Sequence, residues 1–217
     1  MEKYNCLIIH NREHSPDRYE NVKKLQSMFP NNHIIDAIFP DDLTDEDKEF
    51  ALNPKQFHAM PVLYKFPERI LGRYCCYLSH LKALEYAYHN ELHNVIILED
   101  DAVLYDYNFD FESFIKKKSI NLITWLGGCI NQKNNYIYCL HSYYIPSYGF
   151  IGFLLNEIED SDNKRAIDSM FVNIIQKKNI NYGYFDVFRQ MQNTYSYIDN
   201  TIKKQPGTWV KNCQNGT

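Results

Sequence analysis

Two apolar runs near the head of the chain, Cys6 to His10 (CLIIH) and His33 to Ile38 (HIIDAI), flank a single helix-length stretch. Between them Val22, Leu25, Met28 and Phe29 recur at helical spacing. Pro16 stands where a first helical turn favours proline, and Pro30-Asn31 stops the helix. Strand, helix and strand in that order predict a parallel α/β sheet. Asn94 to Leu98 (NVIIL) reads as the central strand of that sheet, and Leu122 to Leu126 (LITWL), closed by Gly127-Gly128, as another.

The remaining pattern fills in helices and loops. Arg73 to Asn90 is helical in period, with Tyr77, Leu78, Leu81, Leu84 and Ala87 or Tyr88 on its apolar face. Phe111, Phe114 and Ile115 suggest a short helix, and Ile167 to Lys178 a second amphipathic one. Tyr136 to Leu140 and Ser142 to Ile145 read as a hairpin, and the tail 206–217 as loose. Residues 41–70 differ: an acidic cluster with Thr44 as a helix cap, then Pro54, Pro61 and Pro67, predict an irregular insertion or flap. At 217 residues all of this is one domain, 1–217.

Charge and composition exclude several classes. The net charge is −4 and the isoelectric point about 6.1, with only Lys116, Lys117 and Lys118 as a basic run. That argues against a nucleic-acid partner. No apolar run approaches the roughly 20 residues of a transmembrane helix, and none at the start reads as a secretory signal. The expected location is the cytoplasm, free or peripheral to a membrane. The six cysteines, at 6, 75, 76, 129, 139 and 213, include no CxxC pair and read as buried reduced thiols. No GxGxxG, P-loop or GxSxG element is present.

The feature that carries chemistry is NVIILEDD. Glu99, Asp100 and Asp101 crowd the carboxyl end of an apolar strand, the edge at which open α/β sheets bind ligands. Carboxylates so close repel one another unless a cation or donors compensate. A divalent ion with oxygen ligands does this well. Alternation along an extended strand puts Glu99 and Asp101 on one side and Asp100 on the other. A plain turn with helix-capping acids is the alternative reading.

Upstream, residues 72–85 read GRYCCYLSHLKALE. Gly72, Cys76, Ser79, His80 and the later Glu99-Asp100-Asp101 together resemble glycosyltransferase family 25, which includes bacterial lipooligosaccharide galactosyltransferases and collagen hydroxylysine galactosyltransferases. Asp17-Arg18, Asp36-Ala37, Ile167-Asp168, Gln190 or Gln192, and Ser196 to Ile198 match weaker family elements in the same order. The sequence departs from the family at His10 to His14, with one extra residue, and at Arg73, where the family has Glu.

The resemblance implies a GT-A-like Rossmann-type α/β domain, a mostly parallel sheet flanked by helices. It implies a metal-dependent inverting transferase that moves a hexose, galactose or glucose, from a UDP-sugar to a glycan or hydroxylysine-type acceptor. Glu99 and Asp101 would hold Mn²⁺ or Mg²⁺. Asn11, Arg12, Arg18, Ser79, His80, Asp100 and Gln190 would contact substrate, and Asp168 would serve as the base. A metal-dependent phosphohydrolase and an inactive family member that binds nucleotide sugar or a partner are the alternatives.

Overall fold

The computed structural model describes residues 4–116, 122–131 and 136–191, and the backbone of 195–196 and 201–202. Gln192, Ile198, Lys117, Lys118 and the tail 206–217 lie outside the described residues. The main elements are β1 (Asn5–His10), α1 (Tyr19–Met28), β2 (Asn32–Asp36), α2 (Asp45–Leu52), α3 (Pro67–His89), β3 (Val95–Glu99), β4 (Ala102–Leu104), α4 (Phe111–Lys116), β5 (Ile123–Trp125), β6 (Ser142–Ile145), α5 (Tyr148–Glu159), α6 (Ile167–Lys178), β7 (Tyr182–Tyr184) and β8 (Phe188–Gln190).

Six strands form the central sheet in the order β7-β5-β6-β3-β1-β2. β2, β1 and β3 are parallel, as are β5 and β7, and β6 runs against both of its neighbours. The expected mostly parallel α/β sheet is present. Alternation along each strand divides the core between its two faces. Cys6, Ile8, Ile96, Leu98 and Tyr144 pack with Val22 and Leu25 of α1 and Ile115 of α4. Leu7, Ile9, Val95, Ile97, Tyr143 and Ile145 pack with residues of α3, α5 and α6, among them Leu84, Ile151, Leu154 and Phe171.

The structure corrects two expectations. Tyr136–Tyr138 does not form a hairpin with Ser142–Ile145; it pairs with Cys129–Asn131. Ser142–Ile145 instead enters the central sheet between β3 and β5. All four of its residues are buried, as a strand covered on both faces requires. The long helix α3 also begins at Pro67, not Arg73, because Pro67 occupies its first turn and starts the helix rather than breaking it.

Residues 41–70 carry more regular structure than the proline pattern predicts. Thr44 caps α2, accepting from the Asp47 N–H at 3.1 Å, while Asp47 reaches back to the Thr44 N–H. Phe57–His58 pairs in parallel with Lys164–Arg165. Phe57 meets Tyr74 and Tyr77 of α3 edge-on. No helix among the described residues is long and apolar enough to cross a membrane.

One glycine is required by close approach. A Cβ on Gly127 would strike the Phe188 carbonyl oxygen and would lie 2.6 Å from His141 Nε2. Because a backbone oxygen in β8 cannot step aside, Gly127→Ala is expected to destabilise the fold by about 1–3 kcal/mol. Urea unfolding of the variant checks this; an unchanged midpoint would mean the strands can separate at that point.

Candidate active site

The carboxyl ends of β1, β2 and β3 meet at one edge of the sheet, where Ile9 pairs with Glu99 and His10 with Asp36. An open cleft lies there. It is lined by Ile9 and Arg18, by residues 37–40 after β2, by Gly72, Cys75, Cys76, Ser79 and His80 of α3, and by Glu99, Asp100, Asp101 and Gln190. A segment of α3 thus faces the strand end that carries the acidic run.

The three acids do not divide as strand alternation predicts. β3 ends at Glu99, and Asp100-Asp101 form a turn before β4. Past the end of a strand the period of two no longer governs side-chain direction. Asp100 and Asp101 both stand beside Arg18, with Arg18 Nη1 2.5 Å from Asp100 Oδ1 and 3.6 Å from Asp101 Oδ2. Glu99 lies toward α3, with His80 Nε2 3.2 Å from its Oε1.

Asp100 is the hub of a buried network. Its Oδ2 accepts from the Ser15 hydroxyl at 2.8 Å and from His10 Nδ1 at 3.0 Å. Its backbone carbonyl accepts from Asn21 Nδ2 at 2.9 Å, and the same amide reaches the Ala102 carbonyl. Burial works to strip the Arg18 guanidinium of its proton, but the charges of Asp101 and Asp100 more than offset this and hold it firmly charged. The network locks the β3–β4 turn onto the loop after β1. Ser15, His10 and Asn21 were not singled out as site residues by sequence reading, because nothing local links them to a carboxylate some eighty positions away.

On the α3 side, His80 is only 1% exposed. The tautomer that satisfies both its contacts donates from Nε2 to Glu99 and accepts the Tyr143 hydroxyl at Nδ1, 3.1 Å away. Cys76, one helical turn before His80, has its Sγ 3.7 Å from Glu99 Oε1. Burial, then the charges of Glu99 and Asp168, push the Cys76 thiol well above its ordinary pKa. Among the described residues, Cys76, His80 and Glu99 are the group of three whose ligand atoms all lie within 4.8 Å of one another.

The other expected site residues are spread more widely. Ser79 lines the cleft but spends its hydroxyl on the fold, donating to the Cys75 carbonyl at 2.7 Å and accepting the Ile38 N–H at 2.9 Å. Gln190 lines the cleft from β8, which pairs with β4. Asn11 forms the turn after β1: its side-chain oxygen accepts from the Glu13 and His14 N–H groups, and its amide donates to the Ala37 carbonyl at 3.3 Å. The Arg12 guanidinium lies over the Tyr19 ring, 4.4 Å from its centroid. Neither Asn11 nor Arg12 is among the lining residues.

Asp168 is the second residue of α6. Its carboxylate accepts the Ser169 N–H at 2.7 Å and the Cys139 N–H at 3.3 Å. It too stands off the cleft lining, yet α6 packs on α3, and the Asp168 charge reaches the Cys76 thiol.

A family model for glycosyltransferase family 25, described as an LPS biosynthesis protein, matches residues 7–151. The chain belongs to glycosyltransferase family 25. This family-25 chain is therefore a glycosyltransferase, and its mostly parallel sheet covered by helices on both faces is the α/β architecture expected of it. Arg18, the α3 residues and the acidic run fall inside the matched region; Asp168 and Gln190 lie beyond it.

Two solved structures are similar across most of their length. One is a glycosyltransferase involved in the glycosylation of the major capsid of PBCV-1, at 11% identity, covering 92% of this chain and 91% of that one, with a TM-score of 0.44. The other is mouse xyloside xylosyltransferase 1 in its apo form, at 9% identity, covering 85% of each chain, with a TM-score of 0.43. At those scores neither decides anything about substrate. No curated protein matches the chain.

The donor set at the cleft fits a hard divalent ion such as Mn²⁺ or Mg²⁺, which takes oxygen ligands. Three carboxylates line the cleft. Asp100 is already committed to Arg18, Ser15 and His10, which leaves the carboxylates of Glu99 and Asp101 for such an ion.

Proposed function

We propose that this family-25 chain transfers a hexose, galactose or glucose, from a UDP-sugar to a hydroxyl of a glycan or hydroxylysine-type acceptor, with inversion at the anomeric carbon. The single observation that supports this most is the cleft at the carboxyl edge of β1, β2 and β3. There Arg18, Glu99, Asp100 and Asp101 line the cleft together with residues of α3, all within the region the family model matches.

The donor diphosphate would enter beside the acidic turn. Arg18, held charged by Asp101 and Asp100, fixes the turn and offers a cation at its edge. Glu99 and Asp101 would hold Mn²⁺ or Mg²⁺, which when bound neutralises the diphosphate as it leaves. Gln190 and the backbone of residues 37–40 would orient the donor from the cleft walls. In the transfer, the acceptor oxygen bonds to the anomeric carbon while the bond from that carbon to UDP breaks. The acceptor proton passes to Asp168. The carboxylate is held in place by the Ser169 and Cys139 N–H groups.

Thermal unfolding with UDP tests the donor site. At a UDP concentration 100 times its dissociation constant the fold gains about 2.7 kcal/mol, which for a domain of this size raises Tm by roughly 5–10 °C. The expected result is a shift that needs Mn²⁺ or Mg²⁺ and disappears in Asp101→Ala. No shift with UDP would overturn the donor site. A shift without sugar transfer from any UDP-hexose would point to an inactive member that binds nucleotide sugar. Phosphoester hydrolysis without UDP binding would support the phosphohydrolase instead.

A further inference from the structure

Cys76 and His80 are four residues apart on α3, so both project from one face of the helix. That face meets the end of β3, where Glu99 supplies a carboxylate. Sulfur, imidazole nitrogen and carboxylate oxygen therefore converge from two elements on one point of the cleft wall. All three residues line the cleft.

The spacing suits a shared cation. Two ligands held at about 2.0–2.3 Å from one tetrahedral ion lie roughly 3.3–3.6 Å apart. Here His80 Nε2 and Glu99 Oε1 are 3.2 Å apart, and Cys76 Sγ and Glu99 Oε1 are 3.7 Å apart. The imidazole also has an outer oxygen partner that can orient the ring, since its Nδ1 lies 3.1 Å from the Tyr143 hydroxyl. Tyr143 is fully buried and anchored in β6, so this partner is fixed.

We propose that Cys76 Sγ, His80 Nε2 and Glu99 Oε1 form a three-ligand site for a thiophilic divalent cation, Zn²⁺ by chemistry, with its fourth position open to the cleft. Three protein ligands and one open position are the layout of a zinc centre that exchanges its outer ligand. A thiolate and an imidazole select zinc or cobalt over the magnesium and manganese that carboxylates prefer. On binding, the Cys76 thiol releases one proton to solvent. The His80 proton moves from Nε2 to Nδ1, which then donates to the Tyr143 hydroxyl oxygen. The site shares Glu99 with the Glu99–Asp101 pair, so an ion at either place draws on the same carboxylate. In the sequence Cys76 fills a place in the family pattern, but its thiol reads as buried and reduced, with no metal role. The Cys-x-x-x-His spacing was visible, but its third ligand lies 19 residues beyond His80.

Cobalt(II) titration of the full chain, without nucleotide or manganese, tests the site independently of sugar transfer. The expected result is one equivalent bound, with a thiolate-to-cobalt charge-transfer band that Zn²⁺ abolishes. Cys76→Ser should remove the band, and Cys139→Ser, at an exposed cysteine, should leave it. Tyr143→Phe should weaken cobalt binding by about 10- to 100-fold. Where the serine variant does not fold, Glu99→Gln at the cleft rim takes its place and should lower cobalt affinity at least about tenfold. Absence of the band in the wild-type chain, its survival in Cys76→Ser, or unchanged affinity in Glu99→Gln would overturn the site.

Discussion

Replacing Asp100 by alanine is expected to destabilise the fold by about 3–5 kcal/mol, the usual cost of removing one partner from a buried ion pair. The carboxylate is 9% exposed and Arg18 10%. Its loss leaves the guanidinium to the more distant Asp101, 3.6 Å away, and removes the acceptor for Ser15 and His10. For a chain of 217 residues that corresponds to a fall in Tm of roughly 10 °C. Asp100→Asn keeps an oxygen for the Ser15 hydroxyl but not the charge, and should fall between the two. Urea unfolding of both variants decides the matter. Wild-type stability in Asp100→Ala would show that Asp101, already 3.6 Å from Arg18, suffices as its counter-charge.

The second large effect is on chemistry. Asp168→Asn should lower kcat for sugar transfer by about 10²–10⁴-fold, the range of a positioned general base, while the UDP-dependent rise in Tm stays. An asparagine oxygen can still accept the Ser169 N–H at 2.7 Å but not the longer contact from the Cys139 N–H, made to the other carboxylate oxygen, so stability should fall by only about 1 kcal/mol. The contrast with Asp101→Ala is the informative part: that variant is expected to lose the nucleotide shift as well as transfer. If Asp168→Asn keeps wild-type kcat, the carboxylate is a helix-start anchor and the base lies elsewhere.

Much of the fold was legible locally. The runs 6–10, 33–38 and 94–98 correspond to the strands Asn5–His10, Asn32–Asp36 and Val95–Glu99, the second stopping two residues short of the end of its apolar run, and the acidic run lies at the sheet edge, as a ligand-binding strand end should. What misled was long-range competition. Ser142–Ile145 had a nearby partner in sequence, yet four consecutive buried residues belong in the middle of a sheet, and β3 and β5 offered that place. Pro67 resembled a breaker because a proline inside a helix is one; at a first turn it is a starter.

The sequence by itself determined the α/β class, the position of three carboxylates after β3, and the one-turn spacing of Cys76 and His80. These follow from backbone periods that any short stretch expresses alone. Only the tertiary structure decided how the carboxylates are shared: Asp100 with Arg18, 82 residues away, and Glu99 with His80, itself tied to Tyr143, 63 residues on. The strand ends at Glu99, so beyond it no local period sets side-chain direction. The nearest buried charge or donor does, and which group that is depends on how distant segments pack.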